Sequence, residues 1–349
     1  MAVKRAQFGE LENKTPIYEY HISNDNGVEA VVLNFGATIR NIFVPDKDGN
    51  RVDVALGFDD YKKYFDNDCF LGATVGPTAN RIAKARYEID GKEFILPIND
   101  GPNNLHTDMN NGFHKRIWDA TEGENSVTFT LKAEDGDLGF SGNRVFELTY
   151  TLSDDNALEL HYHATSDAKT LINMTNHVYF NLSGHNAGSI LDHTMQMNAS
   201  AYTPVSSSEA IPTGEIADVT GTPFDFRKEK TIGQDVNADD EQLKFVGGYD
   251  HNYVVDGYDW KNLKNFCNVS SPKTGIKMEC FTNLPGFQLY VGNFLKADGA
   301  KDGATYKARD GFCLETQVYP NSINEAGFPD CVYGPDREYD NITVYKFSK

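Results

Sequence analysis

The sequence predicts an all-β protein, built as a large antiparallel sandwich or a stack of twisted sheets. Three observations predict this class. Short segments in which apolar and polar residues alternate recur along the chain, each bounded by turn residues. Runs of apolar residues at helical spacing are scarce. The 30 glycines and 13 prolines are spread evenly among the 349 residues, without a linker-like cluster, so we expect a single domain over residues 1–349.

Two antiparallel hairpins are the clearest elements. The stretch ARYEIDGKEFILP (85–97) places Asp90-Gly91 between two alternating runs, which is the signature of a type I′ turn. The stretch NRVFELTYTLSDDNALELHYHAT (143–165) has two longer alternating runs on either side of the turn Ser153–Asn156. Each pair of runs predicts two neighbouring strands with one apolar and one polar face.

Three later stretches have the composition of strands and are bounded by glycine or proline. They are KFVGGYDHNYVV (244–255), GFQLYVGNFL (286–295) and GFCLETQVYP (311–320). We predict a strand in each of them. In the last one, alternation places Glu315 on the same face as Cys313 and Gln317.

The stretch NMTNHVYFNLSGH (173–185) predicts a strand with unusual polar content. One face is apolar apart from Asn176 and carries Ile172, Met174, Val178, Phe180 and Leu182. The opposite face carries Asn173, Thr175, His177, Tyr179 and Asn181. This polar face is either exposed to solvent or part of a concave surface that binds a polar ligand. Asn, His and Tyr are more typical of a binding surface, whereas an exposed face usually carries Lys, Glu and Thr.

The charge balance argues against several classes of partner. The chain has 51 acidic and 32 basic residues, a formal net charge of −19. Such a surface repels phosphate backbones and anionic lipids. We therefore expect no nucleic-acid partner and no membrane association.

Cysteine usage and the lack of targeting signals predict a cytoplasmic protein. The five cysteines are scattered and form no C-x-x-C pair, which argues against a disulfide framework and against a thiolate zinc site. The opening MAVKRAQFGELENK lacks the apolar core of a signal peptide. No later stretch approaches the roughly 18 apolar residues of a membrane span. We expect a soluble monomer or homodimer.

Four places combine titratable side chains with predicted strands. They are Asn80-Arg81 with the later Asn104-Leu105-His106, then His177, then Asp250 within Tyr249–Asn252, and finally Glu315. Structural roles could explain Arg81 as a surface ion pair, His106 as a loop cap and Asp250 as an Asx-turn residue. Glu315 is harder to explain, because it lies in an apolar strand and buried carboxylates are uncommon unless they are paired or functional.

His161 and His163 share one face of a predicted strand, which is a spacing that metal ligands use. No third ligand follows at a telling spacing, so an exposed face is the preferred interpretation and we expect no metal site. The chain has no G-x-S-x-G motif, no phosphate-binding loop and no cofactor fingerprint. The remaining set of histidine, carboxylates, arginine and asparagine suits proton transfer on a polyhydroxylated molecule.

Seven stretches, in the expected order, resemble the aldose 1-epimerases, also called galactose mutarotases. The resemblance spans nearly the whole chain, which makes it more specific than any single motif. The stretches are GPTANRIAKARYEIDGKEFILPINDGPNNLH (76–106), TNHVYFNL (175–182), DHTMQMNASAYTPVSSSEAIPTGEI (192–216), GTPFDFR (221–227), GYDHNYV (248–254), LPGFQLYVGNFL (284–295) and CLETQVYPNSIN (313–324).

The resemblance implies a single-domain antiparallel β-supersandwich with a sugar-binding cleft. It implies an enzyme that interconverts the α and β anomers of galactose or glucose without a metal or redox cofactor. By matching position, Glu315 corresponds to the general base of the family and His177 to its general acid. The residues expected to hold the sugar are Arg81, His106 and Asp250, with Asn80 and Gln288 as further candidates.

Two departures from the family pattern border these binding residues. The chain has Pro77-Thr78 where members commonly show a basic or aromatic residue after the glycine. It has Thr107-Asp108 where members usually continue with Gly-Gly. Both departures bear on sugar preference more than on the chemistry.

Three alternatives stay open at this point. A glycoside hydrolase would use Glu315 and Asp250 as its carboxylate pair. A non-catalytic module would bind a sugar without turning it over. A relative acting on hexose 6-phosphates would need several basic groups at the cleft, which the charge of −19 disfavours.

Overall fold

Antiparallel pairing organises the whole fold. The computed structural model describes residues 2–349 and has a single α-helix there, α1 (Glu241–Val246). The strand pairs of its three large sheets are all antiparallel. The predicted all-β, antiparallel class is therefore confirmed.

The strands are short and follow one another closely along the chain. The first nine are β1 (Ala2–Glu10), β2 (Pro16–Ser23), β3 (Glu29–Leu33), β4 (Thr38–Pro45), β5 (Arg51–Asp53), β6 (Ala73–Val75), β7 (Arg81–Ile82), β8 (Arg86–Ile89) and β9 (Lys92–Ile95). The next nine are β10 (Asn104–Leu105), β11 (Asp119–Glu122), β12 (Ser126–Ala133), β13 (Arg144–Leu152), β14 (Ala157–Ser166), β15 (Thr170–Leu171), β16 (Thr175–His177), β17 (Thr194–Met197) and β18 (Ala201–Thr203). The last nine are β19 (Ala217–Asp218), β20 (Lys230–Thr231), β21 (Asp250–Val254), β22 (Lys264–Ser270), β23 (Lys277–Thr282), β24 (Gly286–Tyr290), β25 (Cys313–Gln317), β26 (Val332–Tyr333) and β27 (Tyr339–Ser348).

Three sheets carry most of the structure. An N-terminal meander has the order β1-β2-β3-β4-β5, and a nine-stranded sheet has the order β11-β12-β13-β14-β27-β23-β22-β17-β20. A second five-stranded sheet, which we call the site sheet, has the order β19-β18-β21-β24-β25. Four two-stranded pairs complete the set, namely β7-β10, β8-β9, β6-β16 and β15-β26. Short 3-10 turns lie at Tyr61–Tyr64, Ala83–Ala85, Phe113–Lys115, Asp137–Gly139, Lys301–Gly303 and Ser322–Asn324.

Both predicted hairpins form as expected. Asp90 and Gly91 have φ values of +52° and +79°, as a type I′ turn requires, and they join β8 to β9. Strands β13 and β14 pair across the turn Ser153–Asn156. Every second residue of β13 is buried, so period-2 alternation separates a core face from an outer face.

A single large core joins the three sheets. It combines Tyr20 of the N-terminal meander, Phe129 of the nine-stranded sheet and Phe287 of the site sheet with many other buried apolar side chains. The rings of Tyr20 and Phe129 meet edge to face with centroids 5.6 Å apart. One shared core is what a single domain over residues 1–349 requires; that boundary stays a prediction.

Packing against the nine-stranded sheet orients the strand that carries Glu315. On the back of β25, the Tyr345 hydroxyl donates to the Leu314 carbonyl at 3.1 Å. The hydroxyls of Thr316 and Thr343 lie 2.5 Å apart. Because side chains alternate along a strand, Glu315 points to the opposite side, away from the nine-stranded sheet.

The prediction of a strand across residues 244–255 was wrong in its first half. Residues 241–246 form α1, because Asp240 caps its first turn by accepting the N–H groups of Gln242 and Leu243. Gly247 ends the helix in the left-handed conformation with φ +72°. The strand β21 begins only at Asp250. None of the helices within residues 2–349 has the length and apolar character of a membrane span.

The polar segment 173–185 is more deeply buried than an ordinary sheet face. Its ladder is confined to β16, which pairs with β6, and isolated bridges hold Asn173 and Phe180. All members of its polar face are buried, so the solvent-exposed interpretation was wrong. Asn176, the exception on the apolar face, donates to the Gly72 carbonyl at 3.1 Å and to the Tyr150 hydroxyl at 3.3 Å. These partners allow a polar side chain inside the core.

Candidate active site

The site sheet forms one wall of a cleft. Asp250 begins β21, Gln288 lies in the middle of β24 and Glu315 lies in the middle of β25. The strand register places Gln288 directly opposite Glu315. Two carboxylates and an amide are therefore presented by neighbouring strands of one rigid sheet, which is a more accurate support than a loop.

His177 faces Glu315 from the other wall. It is the last residue of β16, opposite Ala73 of β6. Its Nε2 lies 3.6 Å from Glu315 Oε1, and the two residues are 5% and 3% exposed. The second carboxylate oxygen, Glu315 Oε2, has no hydrogen-bond partner in residues 2–349. It is therefore available to accept a hydrogen bond from a ligand hydroxyl.

The pair β7-β10 carries the next predicted ligands. Its register places Leu105 opposite Arg81, and the backbone N–H of Asn80 donates to His106 Nδ1 at 3.1 Å. Burial, together with nearby His177 and Arg81, lowers the pKa of His106 well below its usual range. The His106 ring is therefore neutral, with its proton on Nε2 as a hydrogen-bond donor.

Arg81 combines the two roles that the sequence left open. Its Nε donates to Asp100 Oδ2 at 2.7 Å, so the surface ion pair exists. The side chain also lines the cleft, and its positive charge acts to lower the pKa of Glu315. The ion pair with Asp100 orients the guanidinium, whose remaining N–H groups can still bind oxygen atoms.

The electrostatics of the His177–Glu315 pair follow from burial. Desolvation lowers the pKa of His177 to about 4. Desolvation first, and then the negative charge of Asp250, raise the pKa of Glu315 well above its usual range, against the effect of Arg81. Both shifts disfavour the charged forms. Burial therefore favours the protonated carboxyl of Glu315 and the neutral imidazole of His177 in the empty cleft.

A chain of buried amides supports Asp250 from behind. Asn80 Nδ2 donates to Gln317 Oε1 at 3.3 Å, and Gln317 Nε2 donates at 3.1 Å to both Asn252 Oδ1 and Gln288 Oε1. Gln288 Nε2 then donates to Asp250 Oδ1 at 2.8 Å. The sequence interpretation missed Gln317 and Asn252 as site residues. For Gln317 the signal was available, since alternation already placed it beside Glu315.

Aromatic rings close the cleft around His177. The Phe70 ring centroid lies 4.9 Å from His106 and 5.8 Å from His177, and Tyr179 lies 5.1 Å from His177. These rings take the place of water beside the imidazole, which explains why its charged form is disfavoured. Sequence reasoning gave Phe70 no role, because an isolated aromatic residue in a loop carries no pattern.

The cleft has a volume of about 260 Å³, at the small end of the range for ligand pockets, which suits one small polar ligand. It brings together six of the seven predicted site residues, namely Asn80, Arg81, His106, His177, Asp250 and Glu315. Gln288 does not line the cleft but donates a hydrogen bond to Asp250, which does. Phe294, which is 70% exposed, stands at the rim with Phe245.

His161 and His163, which share one strand face at a spacing that metal ligands use, lie outside the cleft. His161 Nε2 is 2.6 Å from Asp340 Oδ1, and His163 Nε2 is 3.0 Å from Glu338 Oε2. Both belong to the partly exposed outer face of the nine-stranded sheet, and each lies beside one of these carboxylates.

Within the cleft, His106, His177 and Glu315 could present three ligand atoms within 4.8 Å of one another. The hydrogen bond from Asn80 to His106 Nδ1 opposes such a use. A metal-bound histidine normally donates from its second nitrogen, whereas His106 accepts there. The tautomer of His106 is therefore the wrong one for a metal ligand.

Comparison with known proteins identifies the family to which the chain belongs. The family model described as aldose 1-epimerase matches residues 18–346. The chain is 40% identical to a galactose mutarotase of Bos taurus, covering 100% of this chain and 99% of that protein. It is 37% identical to an aldose 1-epimerase of Escherichia coli (strain K12), covering 93% and 94% of the two chains. A crystal structure of galactose 1-epimerase from Lactobacillus acidophilus superposes with a TM-score of 0.86 at 29% identity, covering 100% of this chain and 99% of that one.

These similarities, with the antiparallel fold and the acid–base cleft, define the class as a sugar isomerase with a fold of the galactose mutarotase type. The chain belongs to the aldose 1-epimerase family. The predicted family, fold and enzyme class are confirmed. The roles of the individual site residues remain proposals.

Proposed function

We propose that this protein interconverts the α and β anomers of an aldohexose, galactose or glucose, with Glu315 as general base and His177 as general acid. The observation that carries this proposal is the 3.6 Å separation of His177 Nε2 and Glu315 Oε1 in a buried cleft. An acid and a base at this separation can act on two neighbouring oxygen atoms of one substrate.

Ring opening moves two protons. Ionised Glu315 takes the proton from the C1 hydroxyl, and the C1–O1 bond gains double-bond character. The bond between C1 and the ring oxygen breaks, and protonated His177 delivers its proton to that oxygen. The product is the open-chain aldehyde, with Glu315 protonated and His177 neutral.

Ring closure reverses these transfers after C1 rotates about the C1–C2 bond. Glu315 returns a proton to the carbonyl oxygen, and His177 removes one from the attacking hydroxyl. The protonation state after opening is also the one that burial favours in the empty cleft. The site therefore stabilises the aldehyde-bound half of the cycle, and the sugar and Arg81 must stabilise the charged pair in the other half.

The surrounding groups match the donors and acceptors of a sugar. The Arg81 guanidinium and His106 Nε2 are donors, whereas Asp250 and the unpartnered Glu315 Oε2 are acceptors. We infer that Arg81, His106 and Asp250 hold the hydroxyl groups. Asn80 and Gln288 contribute indirectly, since both belong to the amide chain that ends at Asp250.

The alternative functions receive less support. A hydrolase or a non-catalytic module would not be expected of a chain that belongs to an isomerase family over residues 18–346. A hexose 6-phosphate needs cationic partners. Arg81 is the one lysine or arginine among the described residues that line the cleft, where Asp68, Asp250 and Glu315 also lie. A neutral hexose fits this charge distribution better.

Polarimetry tests the proposal directly. Freshly dissolved α-D-galactose and α-D-glucose should lose their excess optical rotation faster as the protein concentration rises. The final rotation should equal that of the same sugar solution without protein. Methyl α-D-galactoside, which cannot open, should show no change and would reveal any hydrolase activity. A decay rate equal to that of buffer for both sugars would contradict the proposal.

We also propose that the protein is located in the cytoplasm. The five cysteines are all free, and Cys267, Cys280, Cys313 and Cys331 are buried as thiols. Reduced thiols in this number are typical of the cytoplasm. The expected oligomeric state, a monomer or a homodimer, remains a prediction.

A further inference from the structure

His106 in the cleft wall and Thr107 directly after it both have the left-handed backbone conformation. His106 has φ +53° and Thr107 has φ +67°. This region is unfavourable for a side chain branched at Cβ, and a threonine there is strained. Strain of this kind persists only where surrounding contacts impose it, and it is concentrated at functional sites.

The contacts that impose it come from one hydroxyl group. Thr107 Oγ1 donates to the Thr78 carbonyl at 2.8 Å, and the Thr78 backbone N–H donates back to Thr107 Oγ1 at 3.1 Å. Both residues are buried. Asn104 Nδ2 also donates to the Thr107 carbonyl at 2.6 Å. Thr107 therefore satisfies both backbone polar groups of Thr78, which would otherwise be unpaired in the interior.

This double hydrogen bond joins the two segments that carry the proposed sugar ligands. Thr78 lies two residues before Asn80, and Thr107 directly follows His106. The next links between the same segments both join Asn80 to His106: the Asn80 N–H donates to His106 Nδ1, and the His106 N–H donates to the Asn80 carbonyl, each at 3.1 Å. Thr78 and Thr107 also belong to the two departures from the family pattern, so these departures contact each other in space.

We propose that Thr107 is a positioning residue for His106: its hydroxyl clamps the segment 104–107 onto the segment 78–81 and so sets the place of the imidazole in the cleft. Glycine would adopt a φ of +67° without strain. The two hydrogen bonds are what the threonine adds at this position. The inference rests on the proposed function, because it assumes that His106 binds the sugar.

Three substitutions separate positioning from simple stability. Thr107→Ser keeps the hydroxyl, Thr107→Val keeps the shape without it, and Thr107→Gly removes both hydroxyl and strain. We expect the KM for galactose to rise about tenfold in the Val and Gly variants, with kcat changed less than about threefold. Thr107→Ser should stay within about twofold of the parent. Thr107→Gly should lower the melting temperature less than Thr107→Val does, because glycine also relieves the backbone strain.

Thr128→Val is the matched control, since it removes the Thr128–Thr149 hydroxyl contact of 2.8 Å on the nine-stranded sheet. It should leave KM unchanged. A parent-like KM in Thr107→Gly, or an equal rise of KM in Thr107→Ser and Thr107→Val, would overturn the proposal.

Calorimetric titration with galactose distinguishes failure of the clamp from failure of the proposed function. If the parent protein turns over galactose and the variants bind it equally well, only the clamp is wrong. If the parent neither binds nor turns over galactose or glucose, the proposed function is wrong, and the role inferred for Thr107 is wrong with it.

Discussion

His177 Nε2 and Glu315 Oε1 lie 3.6 Å apart, with both side chains almost completely buried. This distance is too long for a good hydrogen bond, so the two groups are not hydrogen-bonded to each other. Each can instead meet an oxygen atom of a bound sugar. The lowered pKa of His177 and the raised pKa of Glu315 favour a single proton on the pair in the empty cleft, and one proton is the number that the proposed acid–base cycle needs.

Glu315→Gln should lower kcat by about 10²–10⁴-fold, because the amide keeps the shape of the side chain but cannot accept the proton. Galactose should still bind, as calorimetry would show. Glu279→Gln, on an exposed position of β23, is the matched control and should retain full turnover. Near-parent turnover in Glu315→Gln would move the role of base to Asp250, the other carboxylate in the cleft.

The same substitution should stabilise the fold in a pH-dependent way. The folded pKa of Glu315 is raised by burial, so ionisation of this group opposes folding as the pH rises above the unfolded value of about 4.5. Below that value the carboxyl is neutral in both states and no difference remains. Glu315→Gln should therefore unfold at higher urea concentration than the parent at pH 8 and at the same concentration at pH 4. A gain of equal size at both pH values would contradict this electrostatic explanation.

The acid limb of the rate profile should lie far below the ordinary histidine range. Burial lowers the pKa of His177 to about 4. The pair therefore takes up a second proton only near pH 4, and Glu315 cannot act as a base once both groups are protonated. The profile of kcat/KM for galactose between pH 3 and 9 should therefore stay flat through pH 6.5 and fall near pH 4. A fall centred near pH 6.5 would show that His177 is not desolvated in the free enzyme.

Arg81→Ala should raise the KM for galactose by roughly 10- to 100-fold, the effect of losing a charged hydrogen-bond donor to a hydroxyl. It should also lower kcat, because Arg81 favours the ionised form of Glu315. Arg86→Ala removes an exposed arginine paired with Glu93 and should change neither constant. A parent-like KM in Arg81→Ala would show that the guanidinium does not bind the sugar.

Dialysis against a chelator should leave the mutarotation rate unchanged, because the two proton transfers proposed for His177 and Glu315 need no metal. The tautomer of His106 also opposes metal binding by His106, His177 and Glu315. The measurement is the polarimetric rate before and after chelation, with and without added Zn²⁺. Loss of activity that zinc restores would assign a metal to these three residues.

The sequence by itself determined the local structure and the direction of most side chains. Alternation predicted the antiparallel class, the two hairpins and the face of β25 that carries Glu315, because side-chain direction in a strand depends only on position. It failed for α1, where the cap of Asp240 on the Gln242 and Leu243 N–H groups outweighed the β-branched and aromatic composition of the segment.

Only the tertiary structure decided how the site is assembled. Asn80 and Gln317 are 237 residues apart in the chain and joined by a hydrogen bond, and Thr78 and Thr107 are 29 residues apart and doubly bonded. Such contacts leave no period in the sequence, since each partner only has to satisfy a buried polar group of the other. The pKa shifts of His177 and Glu315 arise in the same way: they depend on the rings and carboxylates that packing brings around them, and not on their neighbours in the chain.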